Sequence, residues 1–184
     1  LSRMSAAPSK KKRGRRKLAL ILGGVLLVDA VAFWLWLPAY GLGAAKQFLR
    51  WNFDDIRHVS TEELTRQLEG DNPPALLDIR TTGEYETSHL PGARRLSPDA
   101  TDMQIRVLLL GIPEDEPIVV YCSVGYRSSK MARRLKELGR TKVSNLDGAV
   151  FAWSGEGRPL VPNAPVHPYN WFGKRMLPKQ PAAN

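Results

Sequence analysis

The sequence predicts an α/β fold, a parallel sheet flanked by helices, preceded by one transmembrane helix. Three observations carry that prediction. Apolar runs of strand length near 75–79, 117–121 and 142–146 alternate with helix-like segments between about 54 and 160, the pattern of strands buried on both faces. A separate stretch at 18–37, LALILGGVLLVDAVAFWLWL, is 20 residues long and as a helix spans about 30 Å, the thickness of a bilayer core. The only cysteine, Cys122, stands where the middle apolar run ends and a Gly-containing loop begins, at the carboxyl end of a strand, where such folds place ligands.

Taken in order, 1–17 is a basic arm, disordered by composition, 18–37 is the membrane helix, and 38–53 is a juxtamembrane linker with Gly41 and Gly43. The globular region covers 54–160. Ser60 and Glu63 form a capping box that starts a helix reaching about Glu69, and Gly70 to Pro74 breaks it. Ala75 to Ile79 reads as a buried strand, Gly83 to Glu86 as a turn or short helix, and Arg94 to Leu96 as a short strand. A helix over Asp102 to Leu110 stops at Gly111 and Pro113. After the strand Pro117–Tyr121, Ser128 to Leu138 is a helix with Met131, Leu135 and Leu138 on one face and Gly139 beyond its end. Lys142 to Leu146 is a strand, and Gly148 to Ser154 a short helix with Phe151 and Trp153. The stretch 161–184 is an extended tail rich in proline; its Tyr169, Trp171 and Phe172 either pack back on the domain or, with Lys174 and Arg175, touch a membrane surface or partner.

The charge distribution narrows the function. Net charge is +9, but eight of the 27 basic residues and none of the 18 acidic ones lie in 1–17, so the remainder is nearly neutral. A nucleic-acid-binding domain carries its basic excess on the folded part; no nucleic-acid partner is expected. A basic arm before an apolar span places the N-terminus in the cytoplasm and the domain on the periplasmic or other extracytoplasmic side. Trp34, Trp36 and Tyr40 suit an interfacial belt, while Asp29 is the discordant residue. The alternative, a signal peptide cleaved near Gly43-Ala44-Ala45, calls for a shorter apolar core. One cysteine makes no internal disulfide, so an exported domain of this kind is not a disulfide scaffold. His58, His89 and His167 show no metal-ligand spacing, and neither metal nor cofactor is expected.

The chemistry centres on Ile118-Val119-Val120-Tyr121-Cys122-Ser123-Val124-Gly125-Tyr126-Arg127-Ser128. A strand, a tight loop and a helix start in that order put the sulfur in a ring of backbone N–H groups at a helix N-terminus. There the thiolate, the reactive nucleophile, is favoured by the helix dipole and Arg127.

The ordered motifs Leu76-Leu77-Asp78-Ile79-Arg80, Glu84-Tyr85, His89-Leu90-Pro91-Gly92-Ala93, Val120-Tyr121-Cys122 to Ser128, Leu146-Asp147-Gly148 and Trp153 resemble those of rhodanese domains over roughly 54–160. The resemblance implies a single-domain sulfurtransferase with Cys122 as the catalytic nucleophile. It would carry sulfane sulfur as a persulfide, from thiosulfate or a similar small donor to a thiol, cyanide or protein acceptor. Ser123 and Val124 would contribute backbone N–H groups to the substrate, Gly125 the tight loop, Arg127 positive charge and Ser128 a hydrogen bond, with Tyr126 either at the pocket mouth or merely on the surface. Arg80 matches a substrate-contacting position; its other reading is a salt bridge that holds the loop, with Asp78 as loop support. Where the family has paired glycines this chain has Gly148-Ala149, and Ser88 replaces a usual glycine before His89.

Two other classes remain open at this level. A rhodanese-like module could bind or hold a partner at the membrane without turnover, although a scaffold needs no nucleophile. An oxyanion enzyme, a phosphatase or arsenate reductase, is disfavoured by loop length: four residues separate Cys122 from Arg127, against five in those relatives.

Overall fold

The computed structural model describes residues 10–179, with only the backbone described at 10–16 and 36–39. The chain divides into two units, 1–37 and 38–184. In the first, the described residues are helical, part of helix α1 (Lys10–Asn52). Over Lys17–Leu35 α1 is apolar enough and long enough to cross a membrane, and the side chains there are exposed. The basic arm, expected to be disordered, is helical from Lys10; the rest of it lies outside the described residues.

The second unit begins with a correction. The stretch 38–53, expected as a linker, continues α1 as far as Asn52. Burial explains it: Leu49 and Phe53 are 3 % and 5 % exposed and belong to the core, and tertiary packing of such a face outweighs the helix-weakening Gly41 and Gly43.

The sheet holds five parallel strands, β1 (Arg57–Val59), β2 (Ala75–Asp78), β3 (Arg94–Arg95), β4 (Ile118–Tyr121) and β5 (Val143–Leu146), in the order β1-β5-β4-β2-β3. β4 is central and wholly buried, pairing with β2 (Leu77 opposite Val120) and β5 (Val120 opposite Asn145). Its alternate residues serve two apolar layers. Ile118 and Val120 join Met131, Ala132 and Leu135 of α5 (Tyr126–Glu137), Ile105 and Leu109 of α4 (Asp102–Leu109), and Leu49 and Phe53. Val119 and Tyr121 join Leu64 of α2 (Thr61–Leu68), Val150, Phe151 and Trp153 of α6 (Ala149–Gly155), and Val166 and Met176 of the C-terminal stretch. Between β2 and β3 lies α3 (Thr82–Thr87), opened by a reciprocal cap between Thr81 and Glu84.

Two elements were not anticipated. β1 follows α1 too closely, and is too short, to show a period in sequence. The tail contains α7 (Trp171–Met176), capped by the Asn170 side chain, which accepts from the Gly173 N–H at 2.8 Å. Its buried members are Gly173 and Met176; Tyr169, Trp171 and Phe172 stay 53 %, 62 % and 46 % exposed.

Candidate functional site

The site forms at the carboxyl end of β4. Cys122 follows the last strand residue, and its side chain is 1 % exposed. The loop then turns sharply at Gly125, with φ +118°, and α5 begins at Tyr126. A side chain at Gly125 would suffer twice. It would adopt a conformation L-residues avoid, and its Cβ would stand 2.8 Å from Leu49 Cδ1 and 3.2 Å from Asn145 Nδ2.

The loop is held so that its donors reach the sulfur. The first N–H groups of α6, at Val150 and Phe151, donate to the carbonyls of Cys122 and Ser123, each at 3.2 Å. Those acceptors are thereby engaged by α6. The Gly125 N–H donates to Cys122 Sγ at 3.2 Å, and the Ser128 hydroxyl lies 3.5 Å from it. Cys122 thus sits among donors at the start of a 12-residue helix, the setting that stabilises a sulfur anion.

Arg127 closes the other side. Its guanidinium donates to both oxygens of Glu84, at 2.9 and 2.7 Å, and to Ser123 Oγ at 2.9 Å. The Ser123 hydroxyl in turn donates to Glu84 at 3.0 Å. Burial by itself would raise the Glu84 carboxyl, but the Arg127 hydrogen bonds, the Thr81 N–H and the guanidinium charge outweigh it and hold the group at about 2. For Arg127 burial acts to weaken the charge, while Glu84 and the neighbouring Cys122 more than restore it. The arginine is a permanent cation beside the thiol, and its other face is covered by the Tyr169 ring, 4.5 Å away.

Of the sequence-selected residues, Cys122, Ser123, Gly125, Arg127 and Ser128 therefore converge. Val124 is half-buried and packs against the core around Tyr121. Tyr126 is half-exposed and meets Phe53 edge-on, at 5.9 Å and 77°. Arg80, a candidate for substrate contact, is placed elsewhere: it has no exposed surface, holds Asp78 through Nε at 2.9 Å and Nη2 at 2.6 Å, and donates to the Ser88 carbonyl at 2.6 Å. That arrangement is the loop-holding salt bridge, with Asp78 as the partner.

Glu84 is the member that sequence reasoning missed. Its signal was present as Thr81-x-x-Glu84, a capping box; that its other face would meet Arg127 depended on tertiary structure. His89 stacks on Tyr85 at 3.8 Å and His58 contacts Asn145, both structural positions. Among the described residues, no three His, Cys, Asp or Glu side chains are grouped to hold a metal. Beside Arg127, along the start of α5, lies a cleft of about 460 Å³ bounded by Tyr126, Arg127, Lys130, Asp99 and Tyr169.

The arrangement, a parallel sheet whose central strand ends in a cysteine that accepts the Gly125 N–H at a helix start, is that of an α/β domain with a thiol suited to anionic ligands. The rhodanese-like domain family matches residues 60–156, more than half of the chain, and the chain belongs to that family. A sulfurtransferase of Allochromatium vinosum is 31 % identical over 106 residues, 58 % of this chain and 95 % of that protein. A tRNA uridine(34) hydroxylase of Leptospira interrogans is 30 % identical over 102 residues, but those are 54 % of this chain and only 28 % of that one. Among solved structures, the thiosulfate sulfurtransferase of Pseudomonas aeruginosa superposes with a TM-score of 0.53 at 23 % identity, over 63 % of this chain and 22 % of that one, a likeness of fold.

Proposed function

We propose that the protein is a membrane-anchored sulfurtransferase that carries sulfane sulfur on Cys122. The observation that carries this reading is the sulfur's environment: Sγ receives the Gly125 N–H and faces the Ser128 hydroxyl, beside a permanently charged Arg127. Such a pocket suits an anionic sulfur chain better than a neutral thiol. The match over 58 % of this chain to nearly the whole of a sulfurtransferase supports it. In the first step the Cys122 thiolate attacks the sulfane sulfur of thiosulfate. The S–S bond of the donor breaks, sulfite leaves with the electron pair, and Cys122 becomes a persulfide. In the second step an acceptor nucleophile attacks the outer sulfur and the Cys122 thiolate departs, a two-stage scheme with ping-pong kinetics.

The apolar part of α1 supplies the anchor. With the basic arm in the cytoplasm the domain lies on the opposite side, where it meets extracytoplasmic donors and acceptors.

The deciding experiment is intact mass of the reduced protein after incubation with thiosulfate. A gain of one sulfur atom is expected for the natural chain and none for Cys122→Ser. A folded natural chain that gains no sulfur would leave a non-catalytic binding module as the better reading.

A further inference from the structure

The end of α1 lies before the family-matched residues 60–156, yet it touches both supports of the cysteine loop. The first support is the turn at Gly125, whose N–H donates to Cys122 Sγ at 3.2 Å. Leu49 packs on that turn, its Cδ1 2.8 Å from where a Gly125 Cβ would stand. The second support is the start of α6, whose Val150 and Phe151 N–H groups hold the Cys122 and Ser123 carbonyls. The chain enters α6 through Asp147, Gly148 and Ala149, the last two at φ +75° and +52°. Two successive left-handed residues, one of them an alanine, make an entry that its surroundings must hold.

The hold is ionic. The Asp147 side chain is 1 % exposed, and its Oδ2 meets Lys46 Nζ at 3.2 Å and the Arg50 guanidinium. Its Oδ1 is buried with no hydrogen-bond partner among the described residues. The carboxylate therefore depends on those two cations, because a buried charge stripped of its partners is strongly unfavourable. Lys46 also lies along the turn itself, its Cδ 3.3 Å from where a Gly148 Cβ would stand. Lys46, Leu49 and Arg50 share one face of α1 by their spacing, so a single helix end reaches both supports.

Resting on the persulfide reading, we infer that Lys46, Leu49, Arg50 and Asp147 are positioning residues for sulfur loading. Leu49 keeps the Gly125 N–H aimed at Sγ. The two cations act through Asp147 to fix the start of α6, and with it the carbonyls of the cysteine loop. All four act through the loop rather than on the sulfur.

The test follows loading of the full chain by thiosulfate with intact mass, in detergent micelles, over a range of thiosulfate concentrations. Urea unfolding is measured for each variant. A folding defect lowers the fraction that loads; a positioning defect lowers the limiting rate of the fraction that does, with the half-saturating thiosulfate concentration unchanged. Lys46→Met, Arg50→Met and Leu49→Ala are each expected to lower the limiting rate roughly five- to tenfold, well short of the loss of a whole anion-holding donor. Arg50→Lys, which keeps the charge, is expected to retain the natural rate. In an Asp147→Asn background, Lys46→Met and Arg50→Met are expected to have no further effect, because the cations then have no carboxylate to act through. Ile105→Ala, a core truncation in α4, is expected to lower stability and leave the limiting rate unchanged. The cation variants lie at side chains 33 % and 53 % exposed, so their rates are read even where a core variant does not fold. Natural rates in Lys46→Met and Arg50→Met, effects that persist undiminished in Asp147→Asn, or a slowing in Ile105→Ala equal to that in Leu49→Ala would overturn the inference and leave the persulfide reading standing. A folded natural chain that does not load would overturn both.

Discussion

Glu84 joins three parts of the site: the cap of α3, the Ser123 hydroxyl and the Arg127 guanidinium. Its carboxyl is held at about 2, below its ordinary 4.5. A depressed folded value means a contribution fully present above about 4.5 and lost as pH falls toward 2, on the order of 3 kcal/mol. Urea unfolding at pH 7 and pH 3 is expected to show about 2 kcal/mol of that loss in the natural chain, the remainder following as pH falls to 2 and below. Glu84→Gln is expected to be about 3 kcal/mol less stable at pH 7, because the partly buried Arg127 then lacks its counter-charge, and to show a flatter dependence between pH 5 and pH 2. A variant whose acid sensitivity matched the natural chain's would place the titration elsewhere. Gly125→Ala is expected both to cost on the order of 2 kcal/mol, through positive φ and the approach to Leu49, and to lose thiosulfate loading, because the N–H that reaches Sγ moves with the turn. Loading at the natural rate in a folded Gly125→Ala protein would remove that N–H from the mechanism.

The end of α1 behaves as an element of the domain. Lys46 and Arg50 both pair with Asp147, the buried residue directly after β5. Leu49 lies against the turn of the cysteine loop, and Arg133 of α5 binds Asp55 and covers the Phe53 ring. A truncation starting at Asp54 is expected to lose on the order of 4 kcal/mol against one starting at Tyr40. Leu49 and Phe53 are each worth roughly 1.5–3 kcal/mol of burial, and chemical denaturation of the two forms measures the difference. Equal stability would mean that the helix end only rests on the domain. This is also where sequence reading fell short. Strands β2, β4 and β5 and helices α2, α4 and α5 were legible because their apolar periods and caps are local. The helical state of 38–52 was not, since Pro38, Gly41 and Gly43 argue for a linker and only the contacts of Leu49 and Phe53 with residues far along the chain overturn them. The motif around Cys122 gave the strand end, the tight turn at Gly125 and the helix start that follow one another in the structure. Arg80 was ambiguous because an arginine's choice between substrate and Asp78 is a matter of burial. Ala149, in place of a family glycine, takes φ +52° after Gly148 at +75°, so the turn that glycine pairs make is kept at a cost in strain.

For the whole molecule, the proposed anchor and the proposed sulfur-transfer site make separable demands. Removing 1–37 is expected to move the protein from the membrane fraction to the supernatant while thiosulfate loading persists, since each residue contacting Cys122 lies in the second unit. With the full chain in spheroplasts of a bacterial host, protease added outside is expected to degrade the domain. Protection there, with degradation after lysis, would reverse the orientation argued from the basic arm.

The solitary cysteine has a consequence for timing. On the proposed persulfide mechanism, with no second thiol in this sequence, a loaded sulfur is neither passed to a neighbour within it nor trapped as an internal disulfide. Enclosed at 1 % exposure, it waits for a collision with something outside. The unloading rate is then set by the concentration of acceptor rather than by any internal clock, and the fraction of copies carrying sulfur reports the balance of donor and acceptor around the protein.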